Sequence, residues 1–239
     1  MKKISLVLLI ALIGLNSCFF HGHRVKGNGQ MTTQTKQFGD IKGVALSSDF
    51  DVFLTQGSPA GVKIEAEENI IPHIDMHIEN DVLNIETEDN IWLQPRRHVN
   101  IYVTSPVFNV IHSSGSGNIK SETKITSDDK LKLGASGSGD IKIEVDAPEI
   151  DASVSGSGGV ELAGETKKIS GDVSGSGNIK AFNLMAEESN MNVSGSGNVQ
   201  VYSSVKLVAN VSGSGDVRYK GAAQTSTNVS GSGSVKKVD

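Results

Sequence analysis

The chain has 239 residues, 27 of them Gly and 30 Ser, with 5% aromatic and 21% charged residues and a formal net charge of −5. This acidic, aromatic-poor composition lacks the basic surface that nucleic-acid binding needs, Gly is not at every third residue as collagen requires, and 37% apolar content is too high for disorder. A single Cys excludes an internal disulfide framework.

Lys2 and Lys3 precede an apolar run from Ile4 to Leu15, too short for a permanent bilayer-spanning helix and laid out as a secretory signal. The run ends in Leu15-Asn16-Ser17-Cys18, which resembles a bacterial lipobox, with an apolar residue three before the only cysteine and a small residue just before it. Residues 1–17 are therefore expected to be a lipoprotein signal peptide and Cys18 the lipidated terminus, because thioether attachment needs a thiol. Covalent acyl chains contribute about 0.8 kcal/mol per buried methylene, so the expected partner is a membrane, through that N-terminal lipid. Residues 19–23, directly after Cys18, contain no Asp, and the expected location is the cell envelope, as an outer-membrane lipoprotein on its surface or periplasmic face. Residues 18–36, with Gly27, Gly29 and Gln/Thr-rich positions, read as a tether.

Residues 37–112 read as strand-rich, irregular coils. Phe50, Val52 and Leu54 alternate with Asp51, Phe53 and Thr55. Gln56 to Gly61 is a turn, after which Val62, Ile64 and Ala66 resume the alternation. Asn80-Asp81, lying between Met76 and Ile78 on one side and Leu83 and Ile85 on the other, predicts a hairpin. Glu68 to Ile74 predicts one short turn, and Val99, Ile101 and Val103 a last strand before Pro106.

Residues 113–239 hold an internal repeat. Ser-Gly-Ser-Gly begins at Ser114, Ser136, Ser155, Ser174, Ser194, Ser212 and Ser230, at spacings of 18 to 22 residues. Its first glycines are Gly115, Gly137, Gly156, Gly175, Gly195, Gly213 and Gly231, and its second glycines are Gly117, Gly139, Gly158, Gly177, Gly197, Gly215 and Gly233. Alone, such tetrapeptides would be linkers, but apolar residues alternate through their flanks, as in Leu131, Leu133, Ala135, then Ile141, Ile143. A period near 19 predicts an all-β solenoid with coils of about 18–22 residues, in which the glycines lie on the inward side and allow a bend or a close approach of backbones. The next position, occupied by Asn118, Asp140, Gly159, Asn178, Asn198, Asp216 and Ser234, predicts a polar row, with gaps at Gly159 and Ser234. The end of the last coil needs protection from edge pairing, which Lys236, Lys237 and Asp239 are placed to give.

Chemistry is sparse. Asp stands at two of the seven turns, which does not fit a calcium β-roll. His73, Asp75, His77 and Glu79 share one strand side, but a zinc site wants convergent ligands, and a solvated strand face is the expectation. His21 and His23 read as tether residues, and Arg96-Arg97-His98 as a loop cluster. No nucleophile elbow, P-loop or dinucleotide fingerprint occurs, so no catalytic residue, metal ligand or cofactor is expected. Acidic residues such as Glu144, Asp146, Glu149, Asp151 and Glu161 read as scattered surface charge.

Three features together, Asp49-Phe50-Asp51-Val52-Phe53-Leu54-Thr55-Gln56-Gly57, Val99-Asn100-Ile101-Tyr102-Val103-Thr104-Ser105-Pro106 and the repeated Ser-Gly-Ser-Gly-Asn-Ile, resemble the auto-transporter adhesin head GIN domain family over residues 37–235. The resemblance implies a right-handed parallel β-helix and a secreted or lipid-anchored bacterial envelope protein, with no catalytic residues to carry over. The expected function is a non-catalytic, lipid-anchored envelope protein acting as an adhesin-like surface interaction module. A glycan-binding or glycan-processing β-helix and a periplasmic scaffold are the alternatives. The ligand, glycan or protein, and the oligomeric state are not legible in the sequence.

Overall fold

Period-two alternation turns much of residues 43–105 into strands. The computed structural model describes residues 22–239, so the predicted signal peptide, Cys18 and His21 lie outside the described residues. β1 (His23–Lys26) and β2 (Met31–Lys36) come first. β3 (Gly43–Leu46), β4 (Asp51–Gln56) and β5 (Gly61–Glu67) follow, with Val44, Leu46, Val52, Leu54, Val62 and Ile64 on their buried sides. After a 3-10 turn at Ile71–His73 come β6 (Ile74–Glu79) and β7 (Val82–Thr87), joined through Asn80 and Asp81 at φ of 51° and 62°. Asn and Asp tolerate this left-handed backbone best among residues with a side chain, which makes the tight hairpin. β8 (Ile91–Gln94) and β9 (Asn100–Ser105) complete this part.

The segment 23–36 is not a tether. β1 pairs in parallel with β8, and β2 runs antiparallel along β5 from Met31↔Glu67 to Lys36↔Val62. The pattern Met-Thr-Thr-Gln-Thr-Lys carries no apolar face, because β2 supplies backbone hydrogen bonds to an open edge and almost no side chains to the core. Glu67 locks this junction from inside: fully buried, its carboxylate accepts the N–H of Gly29 and, at 2.7 Å, that of Arg96.

The repeats begin with β10 (Val110–Ser113), β11 (Ile119–Ser121), β12 (Ile125–Thr126) and β13 (Leu131–Ala135). Three long strands that bend around corners follow: β14 (Asp140–Gly156), β15 (Gly159–Gly175) and β16 (Asn178–Gly195). β17 (Asn198–Tyr202), β18 (Lys206–Gly213), β19 (Asp216–Lys220), β20 (Gln224–Gly231) and β21 (Ser234–Lys237) close the chain. Each coil contributes one segment to each of two stacks, and from Ser114 onward the two segments flank a Ser-Gly-Ser-Gly corner. The first segments stack as β7, β3, β10, β13, the second halves of β14, β15 and β16, then β18 and β20. The second segments stack as β9, β4, β11, the first halves of β14, β15 and β16, then β17, β19 and β21. All these pairings are parallel, and the fold is a β-solenoid.

One continuous apolar core runs from Ile41 to Val217 between the two ladders. Each fully buried Leu, Ile or Val contributes on the order of 2 kcal/mol relative to exposure, and the stacking adds these contributions coil by coil. Coil order is inverted at the base: β3 and β4 lie between the coil of β7 and β9, which follows them in sequence, and the coil of β10 and β11. Below, antiparallel β6 covers β7, while β5 and then β2 cover β9. At the far end Thr225 and Thr227 stand in register with Leu207 and Ala209, so the last coil ends the core with polar residues, as a capping repeat must.

Candidate functional site

The corners set the geometry of everything displayed. The two glycines of each motif do different work, and only the second lies inward as expected. Gly117, Gly139, Gly158, Gly177, Gly197 and Gly215 are buried, and a methyl on Gly197 would collide with the Gly177 carbonyl oxygen. Gly233 departs from this expectation. It is only half-buried, because among the described residues no further coil stacks on its corner, although a methyl there would still strike the Gly215 carbonyl oxygen of the coil below. The first glycines, Gly115, Gly137, Gly156, Gly175, Gly195, Gly213 and Gly231, are half-buried or exposed rather than inward. At Gly213 the backbone takes φ +126°, a conformation that side chains disfavour. The carbonyl of the first glycine receives the next coil: Gly195 accepts the N–H groups of Ser214 (2.8 Å) and Gly215 (3.1 Å).

Beside each corner, register builds the predicted polar row and extends it. Asn118 donates to the Asp51 carboxylate at 2.9 Å, the Asp140 N–H to the Asn118 carbonyl at 3.2 Å, and Asn198 to the Asn178 carbonyl at 3.1 Å. Ser234 does not break the row as expected, because its hydroxyl donates to Asp216 at 2.7 Å. That hydrogen bond, ahead of the nearby Lys236 and Arg218 charges, holds the Asp216 carboxyl below the usual carboxylate range. Only Gly159 leaves a gap. Asp51 belongs to no motif copy, and its register with Asn118 is what brings it into the row.

Two residues further along the same outward face, Lys120, Lys142, Glu161, Lys180, Gln200, Arg218 and Lys236 stack in one column. Lys142 is neutralised by Glu161 at 2.6 Å; over the last coils Lys180, Arg218 and Lys236 rise beside the amides, and Lys220 lies 5.4 Å over the Phe182 ring. A shallow groove of about 220 Å³ is lined by Asn178, Lys180, Asn198, Gln200 and Arg218. At the opposite corner a longer groove of about 660 Å³ carries Asp128, Asp146, Glu165 and Glu187 beside Met185 and Tyr202. Asp146 and Glu165, in register on adjacent coils, are therefore brought together and are not scattered. On the other ladder, charges alternate as Glu149, Lys168, Glu188 and Lys206. Lys130 bridges Glu149 and Asp151, each at 2.9 Å, and its hydrogen bond is the main reason the Glu149 carboxyl is held low. The molecule thus displays a basic amide strip, an acidic groove and a largely self-neutralised ladder.

The other residues singled out by sequence are dispersed. His73 pairs with Glu88 (2.8 Å), and His98 stands 3.8 Å from Asp51. Asp75 and His77 meet Glu86, which arrives from across the hairpin, while Glu79 is not in that group.

Residues 40–223 match the family described as “Putative auto-transporter adhesin, head GIN domain”. Among solved structures, a putative adhesin from Bacteroides fragilis is similar with a TM-score of 0.85 at 22% identity, covering 90% of this chain and 100% of that one. A putative lipid binding protein from Parabacteroides distasonis gives 0.76 at 26% identity, covering 91% and 100%. A putative adhesin from Parabacteroides merdae gives 0.73 at 24% identity, covering 90% and 99%. No curated protein matches the chain.

Proposed function

The chain belongs to the family “Putative auto-transporter adhesin, head GIN domain”, and from that premise we propose that it is a non-catalytic envelope interaction module, anchored by lipid at Cys18 and presenting the outward face of its second ladder to a partner. The observation that carries this reading is the stacking of Asn178, Asn198, Gln200, Lys180 and Arg218 into one groove. Rows of amides and cations repeated on a stiff stack of coils suit extended, multivalent contact rather than the enclosure of one small molecule. The anchor is proposed to sit in the outer membrane, with the solenoid facing the cell surface.

A glycan as the partner is the second reading. It is supported by the mixture of amides, charges and half-buried rings, which matches hydroxyl-rich ligands, and by the longer acidic groove with Tyr202 along several coils. Glycan processing would require two carboxylates working on one bond, and Asp146 and Glu165 are the pair to test.

The deciding experiment is a glycan and matrix-protein binding array with the purified protein, run beside Arg218→Ala and Asp146→Asn. Binding to defined ligands that either variant abolishes supports the module; an array without any binding opposes it. Protection of the intact protein from added protease on whole cells would instead favour a periplasmic scaffold. Labelled palmitate must enter the wild type and not Cys18→Ala for the anchor to stand. Release of sugar from a bound glycan, abolished in Glu165→Gln, would overturn the non-catalytic reading.

A further inference from the structure

The hairpin of β6 and β7 at the base of the solenoid carries a group that the binding face does not use. Asp75 and His77 are two residues apart on β6 and therefore share its outward side. Glu86 lies directly opposite Asp75 on β7. His77 Nδ1 is 3.1 Å from Asp75 Oδ2 and 4.0 Å from Glu86 Oε1, and the three residues each offer a ligand atom within 4.8 Å of the others'. Two carboxylates placed directly across antiparallel strands repel. Among the described residues the ion-pair partner of both is His77, a cation only when protonated. Lys36 lines the adjacent open groove but pairs with neither, and the neighbouring His73 is engaged with Glu88.

We infer that Asp75, His77 and Glu86 form a divalent metal site of the Zn²⁺ class that clamps β6 to β7. Separations of 3.1 to 4.8 Å bracket the ~3.4 Å edge that bonds of ~2.1 Å make in a tetrahedron, so a small closing movement of exposed side chains completes three bonds. One imidazole with two carboxylates selects a borderline ion such as Zn²⁺. Ca²⁺ asks for six to eight oxygens and Mg²⁺ for a near-ideal octahedron of oxygens. The ion takes Nδ1 of His77, leaving the imidazole proton on Nε2 or, from the protonated ring, releasing one to solvent. It also replaces the repulsion between Asp75 and Glu86 with a shared attraction. Water fills the fourth position from the open groove, which holds about 490 Å³. The clamp has a mechanical consequence: β6 is hydrogen-bonded along its length to β7, and fastening this pair stiffens the cover over the first stacked edge.

The test uses the full-length chain in non-ionic detergent, stripped with a chelator and titrated with ZnCl₂ by calorimetry, with amide exchange followed in parallel. One equivalent is expected to bind, slowing exchange across residues 74–87, whereas CaCl₂ and MgCl₂ do neither. His77→Ala and Glu86→Gln, both exposed positions checked for native circular dichroism, are expected to weaken binding by about tenfold or more. A variant combining Cys18→Ser, His21→Ala and His23→Ala is expected to bind within about twofold of wild type, since none of the three is a ligand here. Acidification should release the ion, because protons compete for Nδ1. The site is overturned by an absence of saturable binding, by binding that survives His77→Ala, or by binding lost in the triple variant.

Discussion

From β3 to the start of β10 the coils are held by unlike parts: antiparallel covers, an inverted coil order, a buried carboxylate and the two buried phenylalanines, Phe50 and Phe108. Between β13 and β21 each coil restates the one below, with Ser on Ser, Gly on Gly and a thinner core in which Ala135, Ala152, Ala181 and Ala209 recur. The first region ends a stack and the second propagates it. An end must satisfy backbone groups that have no next coil, which demands residues found once. A propagating coil needs only to be compatible with its own copy, so small residues and a repeated corner suffice.

Core volume gives the largest expected effect. Phe50→Ala should lower stability by about 4 kcal/mol, measured by urea unfolding, whereas Ala209→Gly in the repeats should cost about 1 kcal/mol. Equal losses would break the contrast between a bulky base and a thin stack. The corners come next and reverse the order of the regions. Gly197→Val should cost about 3 kcal/mol, because backbone, not a yielding side chain, stands in its way. Gly57→Ala at the turn after β4, where the nearest atom is 3.8 Å away, should change the unfolding free energy measured in urea by less than about 0.5 kcal/mol.

Glu67→Ala sharpens the difference further. It strands the N–H groups of Gly29 and Arg96, at a cost of about 2 kcal/mol, and amide protection should fall over residues 23–36 while β14 to β18 keep theirs. The smallest effect is electrostatic and common to both regions. Glu65, held low chiefly by the hydrogen bond from Lys63, and Glu149, held low chiefly by that from Lys130, both favour folding while ionised. A depressed folded pKa means that this contribution is present above the ordinary carboxylate value and is lost as pH falls through the folded one. Thermal melting between pH 6 and 3 should therefore show a slight acid-side loss attributable to these exposed pairs, reduced in Lys130→Met.

Much of the stack is legible in residue order. The alternation at Leu131, Leu133, Ile141 and Ile143, the phased corners and the Asn80-Asp81 turn are local signals, and each places a side chain by its own backbone neighbours. β2 was not legible because Thr32, Thr33 and Thr35 carry no apolar face, and only the open edge of β5 makes a strand of them. Nothing in the local run Glu65-Ala66-Glu67-Glu68 sets Glu67 apart from its acidic neighbours, yet the base closes over it. Gly233 repeats the motif faithfully, yet its burial depends on a coil above it that the stack does not supply. Of the candidate sites, the polar row is visible at Asn118, Asn178 and Asn198, but its extension to Asp51, the pairing of Asp146 with Glu165 and the arrival of Glu86 beside His77 all depend on register.

The sequence by itself determined that this is a stack of β coils with glycine corners, because a period of two within strands and of about nineteen between them is written into neighbouring residues. The tertiary structure alone decided which charges face one another and how the lower end is closed. Those outcomes depend on residues far apart in the chain being brought to strand spacing, about 4.8 Å, where one step of register changes every partner.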